Sequence, residues 1–264
     1  MNNKSFDFER IAQGYAKDRP WLHPQVMERL REDLQIKDNF HNGLDVGCGA
    51  GLSTKALKLI CDKVTGTDIS EEMIKVCKVL YPESEYIFEQ SAAEATIAEV
   101  NTFDIVTAAG VINWVDEEKF LHSLHKVMCD KGLLCIYDFW ISDRMKNNEA
   151  YTKWYQEKYL KTFPKPPRKE YTWTDANLID GFRILKQVQY QLTHEFDKDS
   201  FIRFMMIQSN VNAQIDAGQK RVEEVKEWFE DTLRDVWASE KHTLIFEGYS
   251  WYIELNKYKN SSCF

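Results

Sequence analysis

The sequence predicts an α/β protein built on a doubly wound, largely parallel sheet, and three observations predict it. Strand and helix patterns alternate five times between Leu44 and Phe139 with short connections, which right-handed crossovers turn into a parallel sheet covered on both faces. Phe103-Asp104-Ile105-Val106-Thr107-Ala108-Ala109 is a nearly continuous apolar run, as expected of a central strand buried on both sides. The stretch Leu44-Asp45-Val46-Gly47-Cys48-Gly49-Ala50-Gly51 carries an apolar strand end into three glycines spaced by two, then into a helical pattern with Leu52, Ala56 and Leu59 on one face. Glycines at such a turn allow positive φ and close approach of a ligand to the backbone, and a helix start offers unpaired N–H groups. A nucleotide-like ligand is expected there.

The elements follow in order. Phe6 to Arg31 mixes aromatic and charged residues, and Pro20 and Pro24 divide it into short helices. After the glycine turn a helix is expected to about Ile60, then a short strand, Lys63 to Thr67, ending at Asp68. Asp68 stands about twenty residues past the glycines, where an acid can accept hydrogen bonds from a ribose diol. Ser70 reads as an N-cap with Glu71 and Glu72 in the first turn of a helix through Leu80. Tyr86-Ile87-Phe88 forms a third strand and leads to the polar, small-residue turn Gln90-Ser91-Ala92-Ala93-Glu94. The fourth strand, 103–109, ends at Gly110-Val111-Ile112-Asn113-Trp114; Asp116 caps the next helix, and Leu133 to Phe139 is the fifth strand.

From Trp140 to Trp173 the alternation fails in a stretch rich in Tyr, Trp and Lys, too long for an ordinary loop and too aromatic for a disordered one. Asp175 to Ile179 is expected as a helix stopped by Gly181, followed by a strand with Val188, Tyr190, Leu192 and Phe196 alternating. A helix from Asp199 to Asn210, a break containing Asn210, Asn212 and Gly218, a longer helix from Val222 to Val236 and a last strand, Thr243 to Glu254, complete the reading. One domain over 1–264 is expected, with 1–31, 140–173 and 197–240 as helical cover elements forming a movable lid.

Composition narrows the function. With 264 residues and 44% hydrophobic content a sizeable core is available, and a net charge of −8 argues against broad capture of nucleic acid or an anionic membrane. No signal-like N-terminus or membrane-length apolar run is seen, and six scattered cysteines without a CxxC pair read as reduced thiols, so a cytoplasmic protein acting on small molecules is expected. His122, His125 and Cys129 share a helix face without an acidic partner nearby, and no metal site is expected.

The ordered set of Asp45-Val46-Gly47-Cys48-Gly49-Ala50-Gly51, Asp68, Ser91-Ala92-Ala93-Glu94, Phe103-Asp104-Ile105-Val106 and Gly132-Leu133-Leu134 resembles the class I S-adenosylmethionine-dependent methyltransferases. Within them it is most similar to the small-molecule enzymes of the trans-aconitate and ubiquinone-biosynthesis type, which share a segment of the form Tyr15-x-x-x-Arg19-Pro20. The resemblance implies a Rossmann-like, seven-stranded sheet whose last strand is antiparallel, and S-adenosyl-L-methionine as cofactor. It implies that Asp45, Gly47, Cys48 and Gly49 shape the methionine pocket, with Gly51 helping the helix pack. Asp68 would hold the ribose hydroxyls, Ile69 and Met73 would flank the adenine, and the turn Ser91, Ala92 and Ala93 would meet its edge, Ser91 replacing an aspartate common in relatives. Ala109, Gly110 and Trp114 would line the methionine and substrate side, and Tyr15 and Arg19 would close over the cofactor.

Methyl transfer by in-line displacement to a small molecule, at oxygen or carbon, is the expected reaction. The sulfonium methyl is already activated, so holding the acceptor in line and excluding water are the main tasks. Where the acceptor needs a base, His23, Tyr137, Asp138 and Tyr151 are the candidates. Two alternatives stay open: a cofactor-binding subunit without catalysis, and a nicotinamide oxidoreductase, which the GxGxG spacing disfavours because those enzymes carry GxGxxG. The methyl acceptor and the oligomeric state are not readable from the sequence.

Overall fold

Parallel pairing brings Val46, Thr67 and Ala108 side by side near the ends of their strands, and that edge places the glycine turn. A computed structural model describes residues 18–96, 98–165, 173–175, 178–179, 181–237 and 240–257. The strands β1 Phe40–Val46, β2 Cys61–Asp68, β3 Tyr86–Gln90, β4 Phe103–Ala109, β5 Met128–Met145, β6 Phe182–Asp197 and β7 Lys241–Leu255 form one seven-stranded sheet in the order β3-β2-β1-β4-β5-β7-β6. β1 pairs in parallel with β2 and β4, β2 with β3, and β4 with β5. The last strand runs against its neighbours. Arg183 meets Glu254 and Glu195 meets Lys241 along β6 and β7, and the Lys146 amide donates to the Thr243 carbonyl while Ser142 donates to that of Ile245.

The helices start where short-range chemistry places them. α1 (His23–Leu34) has Pro24 in its first turn, where a missing N–H costs nothing. α2 (Leu52–Leu57) follows the glycine turn, α3 (Glu71–Leu80) is capped by Ser70, whose hydroxyl accepts the Met73 amide, and α4 (Glu117–Val127) by Asp116, which accepts that of Lys119. Leu44, Val46, Val106 and Ala108 pack with Phe120, Leu121, Leu124 and Val127 of α4 in one buried cluster. Each large side chain buried in this way contributes about 1.5–3 kcal/mol.

The described residues fall into two compact units: one drawn from 23–138, 169–189 and 249–264, the other from 1–22, 139–168 and 190–248. β5, β6 and β7 each run from one unit into the other. In the second unit α5 (Glu149–Trp154) continues into a π-helical turn at Tyr155–Tyr159, and α6 (Lys198–Met206), α7 (Ser209–Asp216) and α8 (Val222–Thr232) complete it. Its core is aromatic: Tyr151, Tyr155, Tyr159 and Phe163 recur every four residues and are buried, with Phe229 stacked 5.7 Å from Phe163. No described helix is long and apolar enough to cross a membrane.

Several elements differ from the sequence reading, each for a local reason. α2 ends at Leu57 and not near Ile60, because the Leu59 and Ile60 amides bond three residues back and tighten the turn so that β2 can begin at Cys61. β5 runs on through 140–145, a segment read as the start of an insertion, since β7 lies alongside it. Of 175–179 the described residues form a turn and a bend where a helix was expected, and the Asp175 carboxylate accepts the Ile184 amide of β6. The expected break at Asn210 and Asn212 is helix α7: both asparagines are buried, Asn210 accepting from the Tyr159 hydroxyl (3.0 Å) and donating to the Phe163 carbonyl (2.6 Å). A polar residue reads as a break until its partners are known.

Asn210→Ala strands a buried hydroxyl and a buried carbonyl at once. The expected cost is about 2–4 kcal/mol in urea unfolding followed by circular dichroism, and a loss within experimental error would show that the pair is not a structural link.

Candidate functional site

At the edge where β1, β2 and β4 end beside the middle of β5, Val46 stands opposite Thr67 and Ala108, and Ala109 opposite Tyr137. One residue further lies the turn, with φ of +67° at Gly47 and +52° at Gly49. A Cβ at Gly47 would come within 2.5 Å of Val111, whereas one at Gly49 would meet nothing within 4 Å. Gly47 is therefore required by both backbone and packing, and the space beside the Gly49 Cα is open. The Gly49 amide donates to Asp68 Oδ2 and the Ser70 amide to Oδ1, each at 2.9 Å. These two backbone bonds orient the Asp68 carboxylate. That geometry fits a vicinal diol.

Beneath the turn Asp45 is fully buried. Its Oδ2 accepts from Ser53 (2.6 Å) and Thr54 (2.7 Å) of α2 and its Oδ1 from Thr107 (2.8 Å) of β4. Burial pushes its carboxyl up to about 6, the three hydroxyl bonds opposing the rise and the Asp68 charge adding to it. Ser53, Thr54 and Thr107 escaped the sequence reading; two hydroxyl residues opening the helix after a strand-end aspartate were the available signal.

The other proposed site residues take these places. Cys48 is buried in the turn and its amide donates to the Thr67 carbonyl, while the Gly51 amide donates to that of Cys48. Ile69 is 54% exposed, whereas Met73 is buried on α3. The Ser91 amide donates to the Asp68 carbonyl, and its hydroxyl turns back onto the carbonyls of Ala92 and Ala95, so Ser91, Ala92 and Ala93 form a turn pinned to the end of β2. Ala109 and Gly110 are half-buried, the Gly110 amide donates to the Tyr137 carbonyl, and Trp114 is 61% exposed on a 3₁₀ turn.

Among the candidate bases, His23 Nδ1 and the Tyr137 hydroxyl share a buried hydrogen bond of 2.9 Å, and the Asp138 carboxylate faces Gly110, with Oδ1 3.3 Å from where a Cβ would stand. Tyr151 lies in the other unit, fully buried, with its hydroxyl donating to the Ser142 carbonyl, and Arg19 in that unit lies over the Phe139 ring at 5.8 Å. Tyr15 lies outside the described residues.

Asp45 gives the protein a pH dependence of defined sign. Between the ordinary carboxyl value of 3.8 and about 6 the folded chain holds a proton that the unfolded chain has lost, so stability falls by about 3 kcal/mol as pH rises through that window. Asp45→Asn should flatten this part of the curve in denaturant titrations from pH 4 to 6.5; an unchanged slope would assign it to other groups.

Comparison with known proteins finds methyltransferases among the chains similar to this one. Residues 44–136 match the model of the methyltransferase domain. A ubiquinone biosynthesis O-methyltransferase from Azotobacter vinelandii is 35% identical over 93 residues, 34% of this chain and 40% of the relative. A demethylmenaquinone methyltransferase from Chlorobaculum tepidum is 31% identical over 124 residues, 46% and 49% of the two chains. The chain thus spans about half the length of the curated relatives it matches. A solved structure from Anaeromyxobacter dehalogenans that carries a type II methyltransferase assignment superposes with a TM-score of 0.68 at 18% identity, covering 90% of this chain and 97% of the other. Residues 44–136 are thus similar to a methyltransferase domain, and the chain as a whole shares the fold of the solved structure on which it superposes.

Proposed function

We propose that the protein is an S-adenosyl-L-methionine-dependent methyltransferase acting on a small-molecule acceptor, by in-line displacement at oxygen or carbon. The observation that carries the reading is the Gly49–Asp68–Ser70 arrangement, in which the open space beside the Gly49 Cα and a pre-oriented carboxylate stand side by side at the end of β2. In this reading Asp68 receives the ribose hydroxyls, Gly47, Cys48 and Gly49 shape the pocket for the methionine part above Asp45, and Gly51 seats α2. Ile69 and Met73 flank the adenine and Ser91 to Ala93 meet its edge. Ala109, Gly110 and Trp114 line the acceptor side, and Tyr15 and Arg19 belong to the cover.

The bound cofactor supplies an activated methyl on a sulfonium. The chain's task is to orient the acceptor, exclude water and, for a hydroxyl or carbon acid, take up a proton. Asp138, facing Gly110, and Tyr137, held by His23, stand at the strand ends where that proton would leave. Oxygen as the accepting atom is supported by a relative that is an O-methyltransferase of ubiquinone biosynthesis.

Calorimetry with S-adenosylhomocysteine and with NAD tests the cofactor. Binding of the former alone is expected, and binding of NAD alone would overturn the reading. Asp68→Ala should weaken S-adenosylhomocysteine about 10- to 100-fold, the worth of hydrogen bonds to a charged group. Transfer of labelled methyl from S-adenosylmethionine into a fractionated metabolite extract tests catalysis; binding without transfer to any fraction would favour a non-catalytic subunit.

A further inference from the structure

Two cysteines distant in sequence converge on the glycine turn. Cys48 lies within it and Cys77 comes from α3, and both thiols point at the Gly49 carbonyl oxygen, Cys77 Sγ at 3.1 Å and Cys48 Sγ at 3.7 Å. They share this one acceptor and are buried in one cluster with Ile74 and Phe88. The same Gly49 donates its amide to Asp68, so its two backbone groups tie the thiol pair to the proposed ribose carboxylate through one residue.

We propose that Cys48 and Cys77 form a redox modification site, a dithiol that a peroxide converts to a disulfide, and that the disulfide opposes cofactor binding. On transient opening of the turn one thiol loses its proton to water and its thiolate attacks the peroxide, giving a sulfenic acid and hydroxide. The second thiol then displaces water from the sulfenic sulfur. In sum two thiols and one hydrogen peroxide give one disulfide and two waters, the sulfurs being oxidised and the peroxide reduced. Glycines on both sides of Cys48 let the backbone follow it towards α3. The product removes both thiol donors from the Gly49 carbonyl and drags the residue that orients Asp68.

Burial and mutual contact raise the Cys48 thiol well above its ordinary value, so the pair is unreactive while the turn is closed. Reaction therefore requires opening, and a ligand seated on the turn must slow it. Cys61 and Cys135 are buried as well, but neither shares an acceptor with a second thiol, which makes them internal controls.

The experiment treats the full chain with hydrogen peroxide, with and without saturating S-adenosylhomocysteine, and maps disulfides by mass spectrometry without reduction. A Cys48–Cys77 linked peptide is expected, formed at least fivefold more slowly with the ligand. Calorimetry of the oxidised protein should give at least a tenfold weaker affinity for S-adenosylhomocysteine, restored by dithiothreitol, and Cys77→Ser should bind as the untreated protein does and be insensitive to peroxide. Absence of the linked peptide, or an oxidised protein that binds as well as the reduced one, overturns the inference. The effect on affinity rests on the cofactor reading above: reduced protein that fails to bind S-adenosylhomocysteine refutes that reading, whereas the peptide map by itself decides whether the pair is a dithiol site.

Discussion

The hydrogen bond from the Gly49 amide to the Asp68 carboxylate is the constraint on which the site depends. It joins the turn after β1 to the end of β2, two places nineteen residues apart in sequence that parallel pairing sets side by side. Backbone geometry makes it possible, since only a positive φ turns the amide towards the neighbouring strand. The Ser70 amide fixes the second carboxylate oxygen and the Ser91 amide takes the Asp68 carbonyl, so turn, acid and the β3 loop move together.

Asp45 supports the same turn from below at a cost. A fully buried carboxyl is expensive, and three hydroxyl donors from α2 and β4 offset much of that expense without removing it. In return one side chain clamps the strand before the turn to the helix after it and to the neighbouring strand. A hydrophobic residue in its place would pack, but would leave three buried hydroxyls to find other partners.

The second unit is held differently. Its core is a ladder of rings from Tyr151 to Phe163 closed by Phe201, Trp228 and Phe229, and its polar links include Asn210 to Tyr159 and Phe163, and Trp154 to Thr232. Aromatic packing of this kind tolerates a π-helical turn at Tyr155–Tyr159 because ring contacts survive small shifts of register better than backbone ladders do.

By itself the sequence determined the parallel α/β sheet, the glycine turn, the caps Ser70 and Asp116, the span of β4 and the position of Asp68. Each of these is written in local pattern or in short spacing that covalent geometry enforces. Tertiary structure alone decided that β5 runs on to Met145, that Asn210 lies inside a helix, that Ser53, Thr54 and Thr107 converge on Asp45, and that Cys77 and Cys48 reach the same Gly49 carbonyl. These depend on partners brought close by the pairing of distant segments, and no local pattern carries the identity of a partner. The four-residue spacing of Tyr151, Tyr155, Tyr159 and Phe163 lies between the two: visible in the chain, yet meaningful only once Phe229 supplies the surface it packs against.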